Sequence, residues 1–151
     1  MMLVRSYAAA SAIEGLGVFA GEFIPKGTKL WGLDPKFDLF ITPEEYEALA
    51  PHIQDFVDCY SYPHLELPGI IVVDCDHGKF MNHNLSPNTD FTVFDVGYAL
   101  VDIAKGDEIT ISYIREDLLN LRERRSLLRA HYLFDCRCDR CKAEEATASD
   151  E

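Results

Sequence analysis

The sequence predicts an α+β domain that is mainly β, and three observations carry that prediction. Apolar stretches are short and separated by Gly- and Pro-containing turns. Only two stretches have helical periodicity. With 151 residues, 48% of them hydrophobic, the chain can bury one core and is too short for two comfortable ones.

Taken in order, Gly15-Leu16-Gly17-Val18-Phe19-Ala20 is a glycine-rich turn entering a strand. Phe23 and Ile24 precede a Pro25-Lys26-Gly27 turn, after which Leu30-Trp31 begins a second strand. Residues Asp38 to Ile41 form a third short strand. Thr42-Pro43-Glu44-Glu45 is a helix start, with Thr as N-cap, Pro at the first helical position and Glu at the third. Tyr46, Leu49, Ile53 and Phe56 follow at helical spacing, and Pro51 splits the stretch into two helices. The β-branched run Gly69 to Asp74 predicts a buried strand. Phe91 to Val96 and Tyr98 to Ile103 flank Gly97 as a hairpin, and Ala104-Lys105-Gly106-Asp107 turns into a strand carrying Ile109 and Ile111. From Glu116 to Tyr132 the pattern is helical, with Leu118, Leu121, Leu128 and Tyr132 on one face. The Ala/Glu/Ser/Asp-rich segment after Cys141 predicts a frayed end.

A net charge of −12 opposes nonspecific binding to nucleic acid and favours cationic partners, of which a Lys-rich polypeptide is the obvious class. No apolar run is long enough to span a bilayer. Residues Met1 to Ala12 lack the apolar stretch of a secretory signal, and Arg122-Glu123-Arg124-Arg125 is too short and interrupted for a nuclear one. The cytoplasm is the expected location, with the nucleus open. The five cysteines include a C-x-C-x-x-C run, Cys136, Cys138 and Cys141, which suits a metal better than a disulfide framework.

Two segments are the most informative. One is Lys79-Phe80-Met81-Asn82-His83-Asn84-Leu85-Ser86-Pro87-Asn88, the other Glu108-Ile109-Thr110-Ile111-Ser112-Tyr113. Together with the earlier Gly15-Leu16-Gly17 they resemble, in order and spacing, the motifs of SET-domain protein-lysine methyltransferases. The resemblance covers about Ile13 to Cys141. It implies a SET fold of several small sheets and short helices with a knot-like C-terminal crossing. It divides the chain into a SET domain at 1–132, a post-SET-like cysteine segment at 133–141 and a flexible acidic tail at 142–151.

The resemblance also implies S-adenosylmethionine as cofactor and transfer of its methyl group to a lysine Nε of a basic, histone-like or other Lys-rich protein. Neither direct nucleic-acid binding nor membrane association is expected. Gly15, Leu16, Gly17, Asn82, His83 and Tyr113 would contact the cofactor, and Tyr113 would be the catalytic residue. Trp31, Tyr62 and Ile111 would line the lysine channel. Tyr113 would align the amine with the methyl group rather than act as a base. The burial of the amine in an apolar channel beside a sulfonium would lower its pKa from about 10.4.

The C-terminal cysteines resemble the post-SET segment of the SMYD branch, where three such cysteines and a fourth hold zinc. Leu85 stands here at the fourth position, one short of the usual four ligands, so zinc would need Cys59 or Cys75, a histidine or a water as its fourth ligand. Lys79, Asn84, Leu85, Ile111 and Ser112 depart from the family pattern. Asn84, Leu85, Ile111 and Ser112 admit a second reading, a catalytically silent SET-fold module that binds a basic peptide or protein partner. A third makes the cysteine run a metal- or redox-responsive element.

Overall fold

A computed structural model describes residues 1–93, 95–113, 121–132, 135–136 and 139–148. Among these residues ten short strands make three small sheets, and the core lies between them. The first sheet has the order β1-β2-β10-β7. Its strands are β1 (Ser6–Ala10), β2 (Leu16–Ala20), β10 (Glu108–Ile111) and β7 (Asn82–His83). The second, β3-β9-β8, joins Lys29–Gly32, Val96–Ala99 and Thr89–Asp90. The third, β4-β6-β5, joins Leu39–Ile41, Ile71–Val73 and Ser61–Pro63. Fully or nearly buried Met2, Val18, Ile24, Leu30, Trp31, Ile103 and Ile109 form the main core. In β3 the consecutive residues Leu30, Trp31 and Gly32 are all buried, so that strand is covered on both faces.

Every pairing between these strands is antiparallel except one. Asn82–His83 runs parallel to β10, with Asn82 opposite Thr110 and His83 opposite Ile111. The two signature segments, 26 residues apart between Asn82 and Glu108, are therefore neighbours in one sheet. Asn88 extends that junction with its side chain. Its Oδ1 accepts from the Thr110 amide at 2.8 Å and its Nδ2 donates to the Glu108 carbonyl at 2.8 Å. Asn88 thus bonds β10 as a neighbouring strand would.

The helix start at Thr42 is a full capping box. The Glu45 amide donates to Thr42 Oγ1 at 3.2 Å and the Thr42 amide donates to Glu45 Oε2 at 2.8 Å. Helix α1 (Pro43–Glu47) and helix α2 (Pro51–Tyr60) are separate, with Pro51 at the first position of the second. The break resets the helical phase. Tyr46 and Leu49 pack on Ile41, Val57 and Val73, whereas Ile53 and Phe56 are exposed and Val57 is the buried residue of α2.

Two expectations fail on tertiary grounds. Gly97 lies inside β9, not at a turn, and the chain instead reverses between Asp90 and Val96. A Cβ at Gly97 would sit 2.5 Å from the ring of Phe91, so the glycine answers a close side-chain approach. After the cysteine run the chain is helical, not frayed, over α4 (Asp139–Ala148). This helix packs against α3 (Leu121–Tyr132), and Leu128, Cys136 and Cys141 are buried. Leu118 lies outside the described residues. No helix of the described residues is long and apolar enough to cross a membrane.

Candidate active site

A cavity of about 320 Å³ opens beside the junction of β7 and β10. Its wall includes Glu14, Gly15, Leu16, Asn82, Ile111 and Tyr113, together with Trp31, Tyr62, Asp74 and Phe91. Residues up to 99 apart in sequence meet there, between Glu14 and Tyr113.

Asn82 ties the first part of this wall together. Its Nδ2 lies 3.1 Å from the Glu14 carbonyl, 2.9 Å from that of Leu16 and 2.9 Å from Glu108 Oε1. All three are acceptors, which orients the amide: its nitrogen faces them, and its oxygen is left to accept from another donor. Glu108 is held in turn by Ser11, whose hydroxyl donates to its carboxylate at 2.8 Å. Gly15 turns with a positive φ of 45°, and a Cβ there would meet no atom within 4 Å, so backbone borders open space.

Gly17 and His83, both expected at the cofactor, are not on the wall. A Cβ at Gly17 would lie 2.2 Å from Glu108 Oε1. The glycine makes room for the carboxylate that Asn82 binds. The His83 side chain is fully buried, and its Nδ1 accepts from the Tyr113 amide at 3.0 Å. Nδ1 is therefore the unprotonated nitrogen in this arrangement. The two rings lie 5.3 Å apart. His83 thus positions Tyr113 from behind. The Tyr113 hydroxyl donates to the Met81 carbonyl at 2.6 Å, which fixes the phenol oxygen.

Trp31 and Tyr62, expected as channel walls, do border the cavity, and so does Ile111. A residue that sequence reasoning passed over joins them. Asp74 is 3% exposed, and its carboxylate accepts from Trp31 Nε1 at 2.7 Å and from the Tyr62 hydroxyl at 3.0 Å. Burial raises the Asp74 pKa above its ordinary value, although the N-terminal ammonium and the Trp31 bond oppose this. Burial and the adjacent Asp74 charge push the Tyr62 phenol far upward, so it stays protonated. The only sequence signal for Asp74 is its place at the end of a buried strand, where an acid needs a partner.

Of the three cysteines expected to suit a metal, the structure describes two. Cys136 and Cys141 are buried, and Cys138 lies outside the described residues. Cys59 and Cys75 are exposed, and Cys59 borders the cavity. Among the described residues no three His, Cys, Asp or Glu gather as a metal site.

Known proteins carry the same pattern. The model of the SET domain matches residues 15–114. The chain is 38% identical over 144 residues to a SET and MYND domain-containing protein of Dictyostelium discoideum, covering 91% of this chain and 27% of that one. It is 34% identical over 121 residues to histone-lysine N-methyltransferase SMYD3 of Homo sapiens, covering 77% of this chain and 26% of that one. A crystal structure of a candidate histone methyltransferase from Plasmodium falciparum superposes with a TM-score of 0.53 at 26% identity. That match covers 78% of this chain and all of the other. This chain therefore spans about a quarter of the curated relatives it matches, and over that span it belongs to the SET domain family.

Proposed function

We propose that this chain is the catalytic domain of a protein-lysine N-methyltransferase that uses S-adenosylmethionine. One observation carries the reading: at the cavity wall Asn82 binds the Gly15 turn and Glu108 at once and keeps an amide oxygen to offer. The cofactor's amino-acid end bears an ammonium and a carboxylate. The Asn82 oxygen suits the first, and open backbone at Gly15 permits close approach. The donor and acceptor set thus fits the cofactor.

When bound, the cofactor supplies an electrophilic methyl group on a sulfonium. Tyr113, with its backbone set by His83 and its phenol by the Met81 carbonyl, would hold the attacking amine in line. Ile111 and Phe91 would contribute apolar wall that disfavours the ammonium form and helps the amine lose its proton to solvent. A basic protein is the substrate class that the net charge of −12 favours. No step of this reading uses zinc; Cys136 and Cys141 lie in the C-terminal segment and do not line the cavity.

Calorimetric titration with S-adenosylmethionine and its demethylated product tests the reading. Micromolar binding, lost in Asn82→Ala and kept in Tyr113→Phe, supports it. Tyr113→Phe should then lose most methyl transfer to a basic peptide library. Absence of binding by either ligand to the parent protein would favour the silent partner-binding module.

A further inference from the structure

The cofactor's amino-acid end is a zwitterion, and the Asn82 oxygen suits only its ammonium. Its carboxylate has to bind on a wall that carries the acidic side chains of Glu14, Asp74 and Asp95, in a chain of net charge −12. Such surroundings repel an anion, so the carboxylate needs a cation close by. Among the described residues Lys79 is the only Lys or Arg on that wall. It belongs to a short 3-10 helix, His77–Phe80, whose start is tightly fixed. Asp76 caps it by accepting from the Gly78 amide at 2.8 Å, and a Cβ at Gly78 would meet oxygens of both Asp74 and Asp76 at 2.8 Å. The Lys79 side chain is half-buried and held in place. Its ammonium donates to the Asp76 carbonyl at 3.1 Å and lies 5.2 Å from the centre of the Phe80 ring. An ammonium has three donors, and that carbonyl takes one. Among the described residues no carboxylate forms an ion pair with Lys79. Water could serve the carbonyl equally, so that bond alone does little to offset the ordering of a long side chain.

We propose that Lys79 binds the carboxylate of the cofactor's amino-acid end while Asn82 takes the ammonium, an assignment that rests on the methyl-transfer reading above. The spacing fits the chemistry. The two charged groups of an amino acid sit on one carbon, and Lys79 and Asn82 are three residues apart, which holds their Cα atoms within about 11 Å. A point charge on a flexible four-carbon stem can adjust to a carboxylate from that position. The carboxylate takes no part in methyl transfer, so Lys79 binds cofactor and product alike. Its loss therefore falls on the cofactor KM more than on kcat. Lys79 also makes the site select a zwitterion. A decarboxylated cofactor would lose this contact, although the acidic chain attracts its extra positive charge.

Calorimetry with two probes tests this: the demethylated product, and its decarboxylated form, an aminopropylthio-adenosine that keeps the ammonium and lacks the carboxylate. The parent protein should bind the product about tenfold more tightly, the scale of a hydrogen bond between charged groups. Long-range attraction to an acidic chain would favour the decarboxylated cation instead, so this preference needs a local cation. Lys79→Met should weaken the product about tenfold and leave the decarboxylated form unchanged, which erases the preference. Lys79→Arg keeps the charge and should restore it. A lysine that only braces the Asp76 carbonyl would, when replaced, weaken both ligands alike or neither. Lys79→Gln still donates to that carbonyl and should behave as Lys79→Met does, so the test holds even if the methionine variant folds poorly. Equal affinity of the two ligands for the parent, or a preference that survives in the uncharged variants, would overturn the assignment. A parent protein that binds neither ligand removes the methyl-transfer reading as well, whereas binding of both without preference removes the role of Lys79 alone.

Discussion

Around Asn82 the cavity wall is held by backbone and one amide; around Trp31 it is held by side chains converging on one carboxylate. In the first part, a single side chain satisfies two carbonyls and Glu108, and the parallel pairing of Asn82–His83 with β10 supplies the rest. In the second, Trp31, Tyr62 and Asp74 come from three different strands or their ends, and no contiguous motif joins them. The difference bears on how far each part of the wall tolerates substitution. A wall of backbone has few ways to change without unfolding, whereas a wall of side chains can be altered one residue at a time.

The largest effect should come from the backbone-bound part. Asn82→Ala strips the donor from two carbonyls and a carboxylate and should lower unfolding free energy on the order of 3 kcal/mol, measured by urea denaturation. A loss below about 1 kcal/mol would mean that water replaces the amide freely, and the contrast between the two parts would vanish. Next, Gly97→Ala drives a methyl into Phe91 and should cost about 2 kcal/mol by overpacking. Because Phe91 belongs to the side-chain part of the wall, the same variant should leave S-adenosylmethionine affinity, read by calorimetry, unchanged. Thr42→Ala removes the cap of α1, whose residues do not line the cavity, and should cost about 1 kcal/mol with S-adenosylmethionine affinity unchanged. Altered ligand affinity there would show that the cap and cavity are coupled.

The smallest effect is a pH dependence. Burial raises the native pKa of Asp74 above its ordinary 3.8, so the native state keeps that proton to higher pH than the unfolded chain does. Between the two values the unfolded chain binds fewer protons, and stability falls as pH rises through that window. Asp74→Asn lacks the titration. Its stability relative to the parent should therefore improve from below pH 4 toward neutrality, read by thermal melts across that range. A constant difference would place Asp74 in effective contact with water.

Local rules were legible along the chain. The Thr42 capping box, the new helix at Pro51 and the Ala104–Asp107 turn all follow from bonds and sterics within a few residues. The SET motifs were legible too, because the polar residues that make the junction are clustered in short segments. Gly15, Leu16, Asn82 and Tyr113, which lie in those motifs, line one cavity. The packing of Gly17 and His83 was not legible: Glu108 packs where Gly17 has no side chain, and the His83 ring accepts from the Tyr113 amide.

The sequence by itself therefore determined the helix caps, the turns, the small-sheet character and the family. Only the tertiary structure decided that Asn82–His83 would pair with β10 in parallel, that Gly97 would face Phe91 inside a strand, and that Asp74 would join Trp31 and Tyr62 at the cavity. The physical reason is range. Caps and turns are set by hydrogen bonds spanning three or four residues, whereas Asp74 meets Trp31 across 43 residues, and which donor reaches a buried carboxylate depends on how the whole chain packs.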